Sequence, residues 1–219
     1  MSVIPNRDRR AARYQATRAE ILAAAWDLVR EQGLAALSMR DLGARVGMRA
    51  QSLYVYFPSK HAIYDEMFRQ GNLEALARRQ RLPLGPDPRG DLRRSARLFV
   101  EFCVEDPARY QLMFLRTVPG FEPSPESYAV AVQVLDYDRT LLTRAGFTDR
   151  RDLDLWTGLT SGLVHQQLSN EPGGSRWIDL LDEAIDMYFD HQDRRRSREP
   201  RQDAQHGDPR HQHPPARPR

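Results

Sequence analysis

The chain has 219 residues with 40% hydrophobic content, a formal net charge of +3 and a single cysteine. That length can bury one sizeable core, or a small domain joined to a larger one, and the lone Cys103 excludes an internal disulfide and a multi-cysteine metal site. No apolar run approaches the roughly 18 residues of a membrane span, and no apolar segment follows the basic N-terminus as a secretory signal would require. The expectation is a cytoplasmic protein without a membrane partner. In chain order, residues 1–14 read as a basic flexible arm. Thr17-Arg18-Ala19-Glu20 has the form of a capping box. Behind it Ile21, Leu22, Ala25, Leu28 and Val29 share one helical face, and Gly33 stands where a C-cap glycine would end the helix. Ser38 is placed to cap a short helix reaching Val46, and Ser59 to cap a long one reaching about Arg81. "LPLGPDPRG" at 82–90 is a proline-glycine break and the expected joint between domains. Asp106-Pro107 and Ser124-Pro125 each pair an N-cap residue with proline at the first helical position. Helices are therefore predicted to start near 91, 107, 124, 149 and 174. From His191 onward Arg, His, Pro, Gln and Asp dominate. Residues 192–219 hold eight arginines against four acids, so the rest of the chain is close to neutral. Such a segment buries too little to offset its ordering entropy and is expected to be a disordered basic tail.

Residues 38–56, "SMRDLGARVGMRAQSLYVY", carry the most informative spacing. Two short helices that cross closely need a small residue at the crossing and a turn residue four places later; Gly43 and Gly47 fit. They also need apolar seats, which Leu42, Val46, Met48, Leu53 and Tyr56 supply. Glycine costs a helix about 1 kcal/mol relative to alanine, so close packing is a sensible reason for Gly43. In a helix-turn-helix the second helix enters the DNA major groove. Its exposed residues here would be Arg49, Ala50, Gln51, Ser52 and Val55. Arg49 can bond guanine bidentately, Gln51 can read adenine and Val55 can touch a thymine methyl. In the following "LYVYFPSK", Tyr54 and Tyr56 can offer hydroxyls to phosphates, Phe57 plugs the core and Pro58 halts the recognition helix. Lys60 is the chain's only lysine. It stands in the first turn of the next helix, where a cation opposes the helix dipole and a bound phosphate would remove the conflict.

Residues 17–68, "TRAEILAAAWDLVREQGLAALSMRDLGARVGMRAQSLYVYFPSKHAIYDEMF", resemble the DNA-binding domain of TetR-type transcriptional regulators. The resemblance implies phosphate contacts from Tyr54, Tyr56 and Lys60, base contacts from 49–55, and a position for Ser38 near a phosphate. Arg49 stands where that family commonly has a serine or threonine cap, and Val55 where it often has a polar residue. The expected fold is all-α: an N-terminal three-helix helix-turn-helix DNA-binding domain over 15–61, a linking helix from about 59 to 81, and a C-terminal helical ligand-binding and dimerisation domain over 82–191. The resemblance implies a repressor released from a palindromic operator in double-stranded DNA by a small molecule of unknown identity. An activator with the same motif, or a DNA-binding protein that needs no ligand, is the alternative, and a helical enzyme is a remote one.

In the second half, the final helix carries an apolar arc too wide for one surface: Ile178, Leu181, Ile185 and Tyr188, with Leu180, Ala184 and Met187 beside them. The helix before it has small residues at Gly158, Thr160, Ser161 and Gly162, which permit close helix approach. A homodimer through Gly158, Ser161, Gly162, Ile178, Leu181, Ile185 and Tyr188 is expected. A ligand pocket is expected among Phe99, Phe102, Cys103, Tyr110, Met113, Phe114, Phe121, Tyr128, Trp156 and His165, with an apolar or amphipathic molecule as occupant. No glycine-rich phosphate loop follows a strand, and no nucleophile elbow or clustered metal spacing occurs. No enzyme activity, cofactor or metal is expected.

Overall fold

In the computed structural model, which describes residues 6–198, helix boundaries follow the caps. Nine α-helices are present among the described residues: α1 Asn6–Gln32, α2 Met39–Arg45, α3 Ala50–Leu53, α4 Lys60–Gln80, α5 Pro88–Glu105, α6 Pro107–Phe114, α7 Pro125–Arg144, α8 Arg150–Asn170 and α9 Leu181–Arg198. No strand occurs among those residues. Ser38, Ser59, Asp106 and Ser124 each accept a backbone N–H three residues on, at 3.1–3.2 Å. Asp149 closes a reciprocal capping box with Asp152. These side chains satisfy N–H groups that the first turn of a helix leaves without partners.

Four expectations need correction. The helix expected from Thr17 begins at Asn6, so Thr17 lies in its interior and no capping box forms there. No glycine or proline interrupts 6–16, and the helix continues unbroken. α5 starts at Pro88 instead of near 91, because Asp87-Pro88 repeats the N-cap and N1 pattern seen at 106 and 124. α9 starts at Leu181 instead of near 174: Gln167 Oε1 accepts the N–H of Trp177 (2.9 Å) and holds the preceding segment in a turn. The helix then runs on to Arg198, so 192–198 of the expected disordered tail are helical, while 199–219 lie outside the described residues.

Of the described residues, 6–181 form one compact unit and 182–198 belong to a second. The break at 82–90 is therefore not a boundary between compact units. α4, which ends at Gln80 just before that segment, packs against α1 as well as α5, α6 and α7. The segment itself is tied down by buried Asp91, whose carboxylate accepts the Gly85 N–H (3.0 Å) and pairs with Arg144 (2.9 Å). In the first unit Ile21, Leu28 and Val29 of α1, Leu42 of α2, Leu53 of α3, Phe57, and Ile63, Tyr64 and Met67 of α4 make one buried cluster. Burial of this stripe, at about 25 cal/mol per Å² of apolar surface, is what fixes α2 and α3 on the end of α4.

Candidate functional site

The sharp turn between α2 and α3 is set by two glycines with different physical roles. A Cβ on Gly43 would lie 2.7 Å from the Met48 carbonyl oxygen and 3.2 Å from the Ala50 nitrogen. Only a bare Cα lets the recognition segment approach α2 so closely. Gly47 instead supplies φ of +68°, the left-handed conformation that turns the chain. Leu42, Leu53 and Phe57 are fully buried beneath the turn, and Val46, Met48 and Tyr56 pack partly buried against them.

Regular α-helix in the recognition segment stops at Leu53, five residues before Pro58. It continues as a tighter turn through Tyr56 N–H to Leu53 C=O (2.9 Å). Arg49, Gln51, Tyr54 and Val55 are exposed on one end of the protein, and Ala50 and Ser52 are half-buried beside them. Arg49 occupies the N-cap without a side-chain capping bond, so its guanidinium is not committed to the helix end. Ser38 is half-buried, and its hydroxyl is engaged twice by Asp41, donating to the carboxylate (2.6 Å) and accepting the backbone N–H (3.1 Å). A phosphate contact at Ser38 therefore requires that proton to turn away from Asp41. Lys60 sits in the first turn of α4 with its ammonium 5.7 Å from the Tyr64 ring centroid.

α1 buttresses this surface through two residues that sequence reasoning missed. Tyr14 stacks on Tyr56 with ring centroids 5.0 Å apart, and its hydroxyl donates to the Val55 carbonyl (3.2 Å). Arg18 donates to the Tyr56 carbonyl (2.6 Å) while its guanidinium lies 4.2 Å over the Phe57 ring. Both lie on the backward extension of the Ile21–Ala25–Leu28 stripe at helical spacing, which was the available signal.

The second feature is a cavity of about 550 Å³ in the first unit, enclosed by α4–α8 and the 115–123 segment. Phe99, Met113, Phe114, Phe121, Tyr128 and Trp156 line it as expected. Phe102, Cys103, Tyr110 and His165 do not. Phe102 is covered by the guanidiniums of Arg109 (3.7 Å) and Arg78 (5.1 Å). Cys103 and Tyr110 are buried outside the cavity wall, and burial pushes the Cys103 thiol up to about 12. His165 is exposed on α8, because Trp156, Thr160, Val164 and Gln167 take the inward face. Sequence reasoning also missed the polar wall of the cavity, formed by Asn72, Arg79, Ser95, Asp138 and Thr160. The cavity reaches toward the N-terminal end of α4. Val118, Phe121, Glu122 and Pro123 line it, and the Phe121 ring also packs 5.7 Å from Tyr64 and 6.2 Å from His61 in the first turns of α4.

The expected dimer residues divide. Gly158 and Gly162 are exposed on α8, with nothing near the space a Cβ would fill. Ser161 turns inward and lines the cavity instead. In the first unit Leu181 is buried and Ile178 half-buried; Ile185 and Tyr188 belong to the second unit.

A glycine-crossed helix pair that presents Arg49, Gln51 and Val55 from a stable helical base defines a helix-turn-helix DNA-binding protein. Residues 21–67, the segment that holds α2 and α3, match the model of the family described as bacterial regulatory proteins, tetR family, so this segment is a TetR-type DNA-binding domain. No curated protein matches the chain's sequence. Among solved structures it is similar to PfmR, a TetR family transcriptional regulator from Thermus thermophilus (22% identity, 77% of this chain and 96% of that one, TM-score 0.59). It is also similar to the transcriptional regulator FadR from Bacillus subtilis in complex with stearoyl-CoA (13% identity, 78% and 96%, TM-score 0.64). A third likeness is to a single-residue variant of TetR from Acinetobacter baumannii in complex with minocycline (21% identity, 81% and 97%, TM-score 0.56). These likenesses show the fold. No helix among the described residues is long and apolar enough to cross a membrane.

Proposed function

We propose that this protein is a homodimeric repressor that binds a palindromic operator and leaves it when a small molecule enters the cavity. Residues 15–61 are its DNA-binding part. Arg49, Gln51, Ser52 and Val55 with Ala50 face the base edges, and Tyr54, Tyr56 and Lys60 contact phosphates. The observation that carries the ligand-responsive reading is the shared wall. The segment 118–123 lines the cavity and touches the first turns of α4 through Phe121, Tyr64 and His61. α4 in turn anchors α2 and α3 through the buried cluster around Tyr64 and Met67. A ligand that displaces this segment thus has a physical route to the recognition residues, and the two affinities are then reciprocally coupled. The Bacillus subtilis and Acinetobacter baumannii neighbours support the same reading, since both proteins were solved as complexes with small molecules.

For dimerisation, the exposed face of α8 offers Leu155, Gly158 and Gly162, with half-buried Leu159 among them. Small residues there permit close approach of a second copy of the helix. Selection of genomic DNA fragments by the purified protein at a stated salt concentration tests the reading. One enriched palindromic motif is the expected result. Enrichment that fades uniformly with salt and yields no motif rejects it.

A further inference from the structure

The inner wall of the cavity is polar, and each of its donor groups already makes a hydrogen bond within the protein. Arg79, 2% exposed, donates Nε and Nη2 to the two carboxylate oxygens of Asp138 (3.3 and 3.4 Å) and Nη1 to the Ala75 carbonyl (3.4 Å). Ser95, 2% exposed, donates its hydroxyl to Asp138 (3.3 Å). Thr160, 4% exposed, donates to the Trp156 carbonyl (3.0 Å), and Asn72, 3% exposed, donates its amide to the Phe68 carbonyl (2.9 Å). This wall still offers several acceptors, the Asn72 side-chain oxygen, the lone pairs of the two hydroxyls and the Asp138 carboxylate, beside one remaining N–H on Asn72 and two on Arg79. The other charged groups lining the cavity are Arg116 and Glu122, of opposite sign and both exposed. The interior therefore has a cation already neutralised by its own carboxylate, surrounded by Phe99, Phe114, Tyr128 and Trp156.

We infer that this cavity takes an uncharged ligand with a bulky apolar or aromatic body and a hydrogen-bond-donating head, such as a phenol, alcohol or amide. A carboxylate or phosphate that pairs with Arg79 competes with Asp138 for the same guanidinium. Competition weakens the pairing of an Asp138 carboxylate that is only 17% exposed, which is unfavourable for a mostly buried charge. An ammonium head meets the mirror penalty at Arg79. A neutral donor breaks no ion pair and satisfies the waiting acceptors.

The inference rests on the cavity being the effector site, and the two ideas can fail separately. The probes are 4-octylphenol, 4-octylbenzoate and 4-octylbenzylamine, titrated calorimetrically into the full-length protein at pH 7.4. The phenol is expected to bind more tightly than either charged analogue by about tenfold or more. Asp138→Asn, checked for native helicity by circular dichroism, is expected to shift preference toward the benzoate, because Arg79 loses its neutralising partner. Benzoate or amine preference in the wild-type protein overturns the inference, as does failure of all three to bind. Release of operator DNA is read separately by fluorescence anisotropy. Phenol preference without release upholds the pocket chemistry and counts against the effector role.

Discussion

Asp65, on α4, caps α7: its carboxylate accepts the backbone N–H of Ser124 at 2.7 Å and the Ser124 hydroxyl at 2.9 Å. The Ser127 hydroxyl adds a third bond at 2.9 Å. A carboxylate at a helix N-terminus is favoured by the helix dipole, so the pair ties the start of the ligand-facing helix to the helix that carries the DNA-binding end. Asp65→Ala is expected to lower unfolding free energy by about 1–3 kcal/mol, measured by urea denaturation. Amide exchange is expected to accelerate in the first turns of both α4 and α7. Acceleration confined to α7 would show that the pair does not couple them.

Gly43→Ala and Gly47→Ala separate close packing from backbone conformation. At Gly43 the new methyl meets the Met48 carbonyl at 2.7 Å, so the recognition segment must move. The expected result is a loss of about 1–3 kcal/mol, in spite of alanine's better helix propensity, together with loss of specific DNA binding. At Gly47 a methyl meets no atom within 4 Å, and only the φ of +68° is unfavourable. That variant is expected to lose about 1–2 kcal/mol and still bind DNA specifically. Anisotropy titrations with the selected DNA fragment and a scrambled one distinguish the two.

Tyr14 stacks on Tyr56 and donates to the Val55 carbonyl, so the effect proposed for it on DNA binding is indirect and carries no charge. Tyr14→Ala is expected to weaken operator affinity by about tenfold, about 1.4 kcal/mol, with the salt dependence unchanged. Lys60→Ala, by contrast, is expected to flatten the slope of log K against log salt by about 0.9 if the ammonium contacts a phosphate. A flattened slope in the Tyr14 variant would mean that the tyrosine region contacts the backbone directly.

Burial pushes the Cys103 thiol from 9.0 to about 12, against a weaker downward pull from Arg79 and Arg109. The folded state therefore holds this proton more tightly than the unfolded chain. Its stabilising contribution is fully present below about pH 9 and is lost as pH rises toward about 12. The urea midpoint of the wild-type protein is expected to fall over this range, and that of Cys103→Ala to fall less steeply. Burial raises Tyr64 and Tyr110 as well, so both proteins keep a residual alkaline loss. Parallel slopes would mean that Cys103 contributes nothing to it.

Local chemistry was legible wherever it acts within a few residues. Ser38, Ser59, Asp106 and Ser124 cap the helices their positions foretold, since a cap needs only its own side chain and the N–H three residues on. The seat of the helix-turn-helix was legible for the same reason: Leu42, Gly43, Gly47 and Leu53 lie within 12 residues, and their spacing is fixed by helix geometry. Thr17 misled because a capping box is a statistical signature, and the uninterrupted helix former upstream of it prevailed.

The sequence by itself determined that this chain is helical, where most of its helices start, and that two of them cross closely enough to present a recognition surface. These follow from backbone hydrogen bonds and side chains at short range. Only the tertiary structure decided which polar residues are buried and with whom. Arg79 and Asp138 are 59 residues apart and each alone reads as an ordinary surface charge; they become one neutral wall because α4 and α7 pack together. Likewise Phe102 reads as a pocket residue, yet the guanidiniums of Arg109 and Arg78 cover it. An apolar face records that something must bury it, while the identity of the covering surface is set by the packing of the whole fold.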